Sequence, residues 1–185
     1  MQYVNWFQQP GKFQSKSLDQ VPLQIQRGDW MTKGNLKHGF RHVVMRREHQ
    51  KFLGFQDNDQ WYQYTMMLMG SSSLPFTFCR MLRPVLEHIC KKLKIRVVWY
   101  VDDFLIMADS KEAAEHDMVT VTTLLEELGW TINREKSVMQ ASQSMEFLGF
   151  NIETESDPVV RIPYQKKRKA KKEAWKLLKA AVRAQ

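Results

Sequence analysis

Two short apolar runs, set end to end around a pair of acids, constrain this chain more than any other feature. Ile95-Arg96-Val97-Val98-Trp99-Tyr100-Val101 and Phe104-Leu105-Ile106-Met107-Ala108 are separated only by Asp102-Asp103. Each run is too short and too rich in β-branched and aromatic residues to favour a helix, so the pattern predicts a buried β-hairpin with two carboxylates at its tip. Charges at the end of so apolar an element are costly unless water, a cation or a basic partner meets them. Held by a rigid hairpin, two carboxylates can carry Mg2+. An Asp-Asp pair taken alone is more often a hydrated turn, so the rest of the chain has to decide.

Upstream, Phe40 to Met45 is β-branched and aromatic enough to predict a strand, which also takes in His42. Phe52 to Gln56 and Trp61 to Thr65 flank the turn Asp57-Asn58-Asp59-Gln60 as a hairpin. Phe78, Leu82, Val85, Ile89 and Leu93 recur at helical spacing, a pattern that tolerates a kink at Pro84. Ser110 is placed to cap a second helix with the inner face Ala114, Met118, Val121, Leu125 and Leu128, and Gly129 is placed to end it. Trp130-Thr131-Ile132 and Phe147 to Ile152 read as further short strands. Strands mixed with amphipathic helices give an α+β fold class.

Charge is unevenly spread. The 185 residues carry a net charge of +8, yet residues 161–185 hold ten Lys/Arg against the single acid Glu173, which leaves the other 160 residues at −1. Asp157-Pro158 and Pro163 mark the junction. Beyond it Ala174, Leu178, Ala181 and Val182 form an apolar stripe beneath a lysine-rich surface, which predicts an amphipathic helical arm. Such an arm suits a polyanionic partner met by Lys166, Lys167, Arg168, Lys169, Lys171, Lys172 and Lys176. No run approaches the roughly 20 apolar residues of a membrane-spanning helix, so no membrane insertion is expected. Cys79 and Cys90 have neither metal-ligand nor disulfide-framework spacing and are expected to be small buried hydrophobes in a reducing intracellular compartment. The histidines, His38 and His42 included, form no ligand set. The first 30 residues lack the apolar core of a secretory signal and are compatible with a remnant of an organellar, for instance mitochondrial, targeting region.

Four blocks, in order, resemble one family. Tyr100-Val101-Asp102-Asp103 resembles the YxDD box of reverse transcriptases, and Tyr62 to Pro75 resembles the segment holding a YQFT-like strand, an LPFG turn and a Ser-Ser-x-Pro helix start. Leu128-Gly129 with Asn133-Arg134-Glu135-Lys136-Ser137 is similar to the LG…N.EKS block, and Phe147-Leu148-Gly149-Phe150 to the FLG primer-grip strand. The resemblance spans roughly Asp29 to Ile152 and is nearest to retroelement enzymes of the DIRS-like (tyrosine-recombinase) or LTR classes. It implies a palm, an antiparallel sheet with packed helices and a YxDD hairpin. The expected division is an N-terminal extension over 1–34, the palm over 35–155, and a linker with the basic helix over 156–185. Only 34 residues precede Asn35, so fingers are expected to be nearly absent, and neither a full thumb nor an RNase H domain is expected after Ile152.

The resemblance further implies that polymerisation uses two Mg2+ held between the first Asp of YxDD, here Asp102, and an Asp on the preceding palm strand. That strand is expected to read like DLKDAYF; this chain has Asn35-Leu36-Lys37-His38-Gly39-Phe40, so the aspartate position is Asn35 and a second one is His38. Met67-Leu68 takes the place of the LP of the turn, and Arg41 that of an aromatic. Phe40 sits where the family keeps the aromatic that excludes a ribose 2′-hydroxyl, and with Gly70 and Lys136 it makes up the inherited nucleotide-binding positions. Asp29 lies about 20 Å upstream along an extended strand at about 3.3 Å per residue, and no part in the site is expected of it. An amide brings no negative charge to neutralise a dication. A loss of a few kcal/mol in the transition state lowers a rate more than about a hundredfold, at about 1.36 kcal/mol per tenfold.

The expectation is therefore a domesticated, inactive reverse-transcriptase-like palm without a cofactor, Mg2+ entering only if the site keeps activity. Asp102 and Asp103 would be relics and RNA the partner, ribosomal RNA and the other proteins of a large ribonucleoprotein being the natural setting. Two alternatives stand beside it: an active RNA-directed DNA polymerase fragment or subunit, and a protein–protein scaffold docked by the stripe of the arm.

Overall fold

The structure, a computed structural model, describes residues 5–8 and 20–183. Strands are numbered along the chain. The central sheet consists of β1 (Trp30–Asn35), β4 (Arg96–Tyr100), β5 (Asp103–Ala108) and β6 (Val138–Ser142), all antiparallel, in the order β4-β5-β1-β6. Both of its faces are covered, which is why β4 and β5 read as unbroken apolar runs. Alternation along each strand sorts the side chains into two cores. Val97, Trp99, Phe104, Ile106 and Leu36 face helices α1 (Leu74–Lys91) and α2 (Lys111–Glu127), with Phe78, Leu82, Met118, Val121 and Leu125 opposite them. Met31, Val98, Leu105 and Met107 face a three-stranded sheet, β7 (Ser144–Phe147), β8 (Phe150–Glu153) and β9 (Val159–Arg161), through Met145, Phe147 and Ile152.

Local chemistry fixes the ends of α2. Ser110 Oγ accepts the Ala113 N–H at 3.1 Å, and Gly129 takes a φ of +86° that stops the helix. Ala114, Met118, Val121 and Leu125 are fully buried, each worth about 1.5–3 kcal/mol for the larger side chains. Leu128, expected on that face, is exposed: the chain turns at Gly129, Trp130 N donates to Leu125 O at 2.9 Å, and the Trp130 ring takes the place in the core. At the far end of β1 from Asn35, buried Asp29 is gripped by Arg96 through two 2.7 Å hydrogen bonds.

Several expected elements differ. Phe40 to Met45 is no strand: His38 adopts a left-handed φ of 54°, Gly39–His42 coils into a 3-10 turn, and only Val44 keeps a β-bridge, to Met66. The expected hairpin is present but shorter, as β2 (Gly54–Asp57) and β3 (Gln60–Gln63), closed by Asn58 and Asp59 with positive φ, which these short polar residues tolerate. Trp130 to Ile132 contributes one bridge, Ile132 to Leu36. Phe147 to Ile152 is a hairpin tip, because Leu148 and Gly149 take φ of 50° and 72° and turn β7 into β8. Cys79 is half-buried and Cys90 exposed, one residue beyond the buried Ile89 on α1 and so about 100° around the helix.

The 34/35 boundary falls inside β1, and the expected linker contains β9, which pairs with β8. Helix α3 (Tyr164–Arg183) follows it. Every side chain from Tyr164 to Leu177, Ala174 included, is exposed; Leu178, Ala181 and Val182 lie outside the described side chains. Among the described residues no helix is long and apolar enough to cross a membrane.

Candidate functional site

The register of β1 on β5 sets Asn35 directly opposite Asp103. Asn35 Nδ2 donates to Asp103 Oδ1 at 2.8 Å and, more weakly, to Asp102 Oδ2 at 3.5 Å. The hairpin turns at Val101, whose φ of 54° is unfavourable for a β-branched residue and costs about 1–3 kcal/mol. Two hydrogen bonds hold the turn there: Trp99 Nε1 to Val101 O at 2.7 Å and Leu36 N to Asp102 O at 2.8 Å. The backbone of Asn35 is clamped in turn, its N–H by Ser137 Oγ at 3.1 Å and its carbonyl by Asn133 N at 2.8 Å, while Ser137 Oγ donates to Asn133 O. The amide and both carboxylates thus meet at one end of the sheet.

Burial pushes the Asp103 carboxyl above its ordinary range; the Asn35 hydrogen bond opposes this, Asp102 reinforces it, and Lys33 and Lys136 oppose it. Lys33 shares the face of Asn35 two residues on, and its Nζ donates to Glu146 O at 2.9 Å. The folded state therefore holds the Asp103 proton more tightly than the unfolded chain. This group's contribution to stability is fullest at acid pH and is lost as pH rises from the ordinary 3.8 through the raised value. Asp103→Asn keeps an acceptor for Asn35 and removes the titration. Its melting temperature relative to the unmodified chain is expected to climb between about pH 3 and about pH 7; a pH-independent difference would refute the assignment.

Of the expected site residues, Asn35, Asp102 and Asp103 come together, and exposed Lys136 bears on Asp103 through its charge. Phe40 packs edge-on against Phe78, ring centroids 5.1 Å apart. Gly70, at a φ of 92°, lies in the loop before α1, where its carbonyl accepts from Asn5 Nδ2. Lys167, Arg168, Lys169, Lys171, Lys172 and Lys176 are exposed along α3, whereas Lys166 Nζ reaches back to Gly149 O at 3.1 Å and lies over the Phe150 ring. Sequence reasoning missed Lys33, and it placed Asn133 and Ser137 in the LG…N.EKS block without the part they play in clamping Asn35. The two-residue spacing of Lys33 from Asn35 on a strand was the available signal for the first. Among the described residues no group of three or more His, Cys, Asp or Glu is placed to hold a metal ion.

An antiparallel sheet backed by helices, with adjacent aspartates at a hairpin turn against the neighbouring strand, defines a palm-like class. Residues 3–152 match the family reverse transcriptase (RNA-dependent DNA polymerase), and the chain belongs to that family. Among curated relatives it is 24% identical over 149 residues to "Protein P" of duck hepatitis B virus (strain China), covering 80% of this chain and 18% of the relative. It is 25% identical over 149 residues to the "Transposon Tf2-3 polyprotein" of Schizosaccharomyces pombe, covering 80% and 11%. The chain thus spans less than a fifth of these relatives' length. Among solved structures it is similar to foamy viral protease-reverse transcriptase in complex with double-stranded DNA, at TM-score 0.75 and 19% identity over 91% of this chain and 28% of that one. The same viral protein in complex with an RNA/DNA hybrid gives 0.72 and 17% over 91% and 22%. At these identities the likeness establishes the mixed α+β fold.

Proposed function

We propose that this chain is a reverse-transcriptase-family palm that does not polymerise and that binds RNA through α3 as part of a ribonucleoprotein. The observation that carries the reading is the Asn35 amide donating into the Asp103 carboxylate. Membership of the family brings an expectation of Mg2+, and this donor set does not fit a pair of such ions. Facing ionised carboxylates, an amide presents its NH2, so protons stand where a dication needs lone pairs. Two carboxylates neutralise one dication, and the described residues add no third acid, His or Cys. On this reading Asn35 replaces a metal-binding aspartate and the hairpin is a YxDD relic, of DIRS-like or LTR-type descent.

The partner is argued from charge. Exposed lysines and arginines on α3 attract phosphates without regard to sequence, which suits structured RNA in general and ribosomal RNA within it. The foamy viral neighbour's complexes with double-stranded DNA and an RNA/DNA hybrid support a nucleic-acid partner in general. Primer extension on an RNA template with Mg2+ or Mn2+ should yield no product from the unmodified chain; product that vanishes in Asp102→Ala would establish an active polymerase instead. RNA affinity should fall steeply with salt. Changing Lys167, Arg168, Lys169, Lys171 and Lys172 to Gln should flatten the slope of log K on log salt by about 0.7–0.9 for each phosphate that the helix no longer neutralises. An unchanged slope removes α3 from the interface and leaves a protein scaffold as the better reading.

A further inference from the structure

The β2–β3 ribbon stands out from the rest of the fold because all eight of its strand residues are exposed. Such a two-stranded ribbon is marginal in water unless its side chains support one another. Here they do so with aromatic rings. Phe55 lies directly opposite Tyr62, stacked at 5.4 Å and 22°, and the Tyr64 ring sits 4.9 Å from Phe55. Period-two alternation puts these three on one face and Trp61, 77% exposed, on the other. Phe52, just before the ribbon, is 64% exposed. A contiguous aromatic surface of this kind is a recognition feature more often than an accident.

The segment leading into it is cationic. Residues 41–53 hold Arg41, Arg46, Arg47 and Lys51 against one acid, Glu48. This segment is tied to the ribbon by Tyr64 N to Leu53 O at 3.2 Å and Met45 N to Thr65 O at 2.9 Å. Arg46, Arg47 and Lys51 are all exposed; Arg46 stands 3.8 Å from Glu48 in a solvent-exposed pair, and Lys51 Nζ lies 5.2 Å from the Phe52 ring centroid. The acids Asp57 and Asp59 are confined to the opposite end, at the turn.

From this juxtaposition we infer that the ribbon is a stacking platform for single-stranded nucleic acid, with unpaired bases on Phe55, Tyr62 and Tyr64 and phosphates at Arg46, Arg47 and Lys51. Charge decides the occupant: an apolar protein surface has no use for the cations, and a duplex keeps its base faces within its own stack. Rings accept any base, so the platform is tolerant of sequence. Neither α3 nor the carboxylate site takes part in it.

The test uses the full chain and fluorescence anisotropy with labelled oligo(U), oligo(dT) and a duplex, each of about 12 nucleotides, within the roughly 4–16 nucleotide range of such sites. Phe55→Ala with Tyr62→Ala should weaken both single strands by at least about tenfold and leave the duplex unchanged. Tyr62→Phe alone, which keeps the ring, should retain affinity. Arg46→Gln with Lys51→Gln alters only exposed groups, so the ribbon stays folded; it should weaken single strands and flatten their salt dependence. Glutamine variants of α3 report separately on the arm, because they should weaken the duplex as well. Single-strand affinity indifferent to both the ring and the cation variants overturns the inference. So does concentration-dependent self-association of the unmodified chain that the alanine pair abolishes, which would make the ribbon a contact between copies.

Discussion

Asn35→Asp is expected to give a chain whose melting temperature depends on Mg2+, with no such dependence expected of the unmodified chain. The substitution removes the 2.8 Å hydrogen bond to Asp103 and sets a third anion against two others. Like charges at about 4 Å repel by about 4 kcal/mol at an effective dielectric near 20, which solvent screening at the partly exposed carboxylates reduces to about 2 kcal/mol. The lost hydrogen bond adds about 1–2 kcal/mol. In chelator at neutral pH the variant should therefore melt well below the unmodified chain, and it should recover as acid protonates the cluster. Mg2+ or Mn2+ should restore it by mass action while leaving the unmodified chain where it was. Melts in EDTA and in each cation decide the matter. Equal cation shifts in both chains would show that position 35 does not govern the charge balance of the site.

Gly34→Ala should be the most damaging small substitution in the fold. Gly34 pairs with Phe104 across β1 and β5, and an added Cβ would lie 2.5 Å from both ring Cε atoms, closer still to Cζ. The ring cannot retreat, because it is fully buried and stacked on Trp99 at 4.5 Å and 15°. Gly34 does not adopt a positive φ, so the constraint is steric. Overpacking of this kind costs about 3 kcal/mol or more. In a domain of this size that lowers the melting temperature by about 6–12 °C. Phe104→Leu in the same chain should give back part of the loss, a non-additive pair that urea denaturation would register. A shift smaller than about 1 kcal/mol would mean that the ring does not lie across the strand.

The parts of the fold legible in the sequence are those whose burial imposes a period. β4 and β5 were visible as continuous apolar runs because both faces of the sheet are covered, and α2 because Ala114, Met118, Val121 and Leu125 repeat along one face. Where single backbone angles decide, composition misleads: His38 bends Phe40 to Met45 off the sheet, and Leu148-Gly149 splits one expected strand into two. Within the site, the two aspartates were legible from local pattern, whereas position 35 was singled out through family resemblance. The clamps by Asn133 and Ser137, and the demand of Phe104 for a glycine on a strand far upstream, arise from chain crossings that no local window contains.

Only Ile162 and Pro163 separate β9 from α3, and Lys166 in the first turn of the helix is fastened to the β7–β8 tip. The positive charge is thus joined to the small sheet by two residues and tied to it at its first turn by one side-chain hydrogen bond. A polyanion that pulls on the helix would load the small sheet, which rests on the same face of the central sheet as Lys33 and Asn35. Tension on the helix would therefore reach first the sheet packed on the face that carries Lys33 and Asn35.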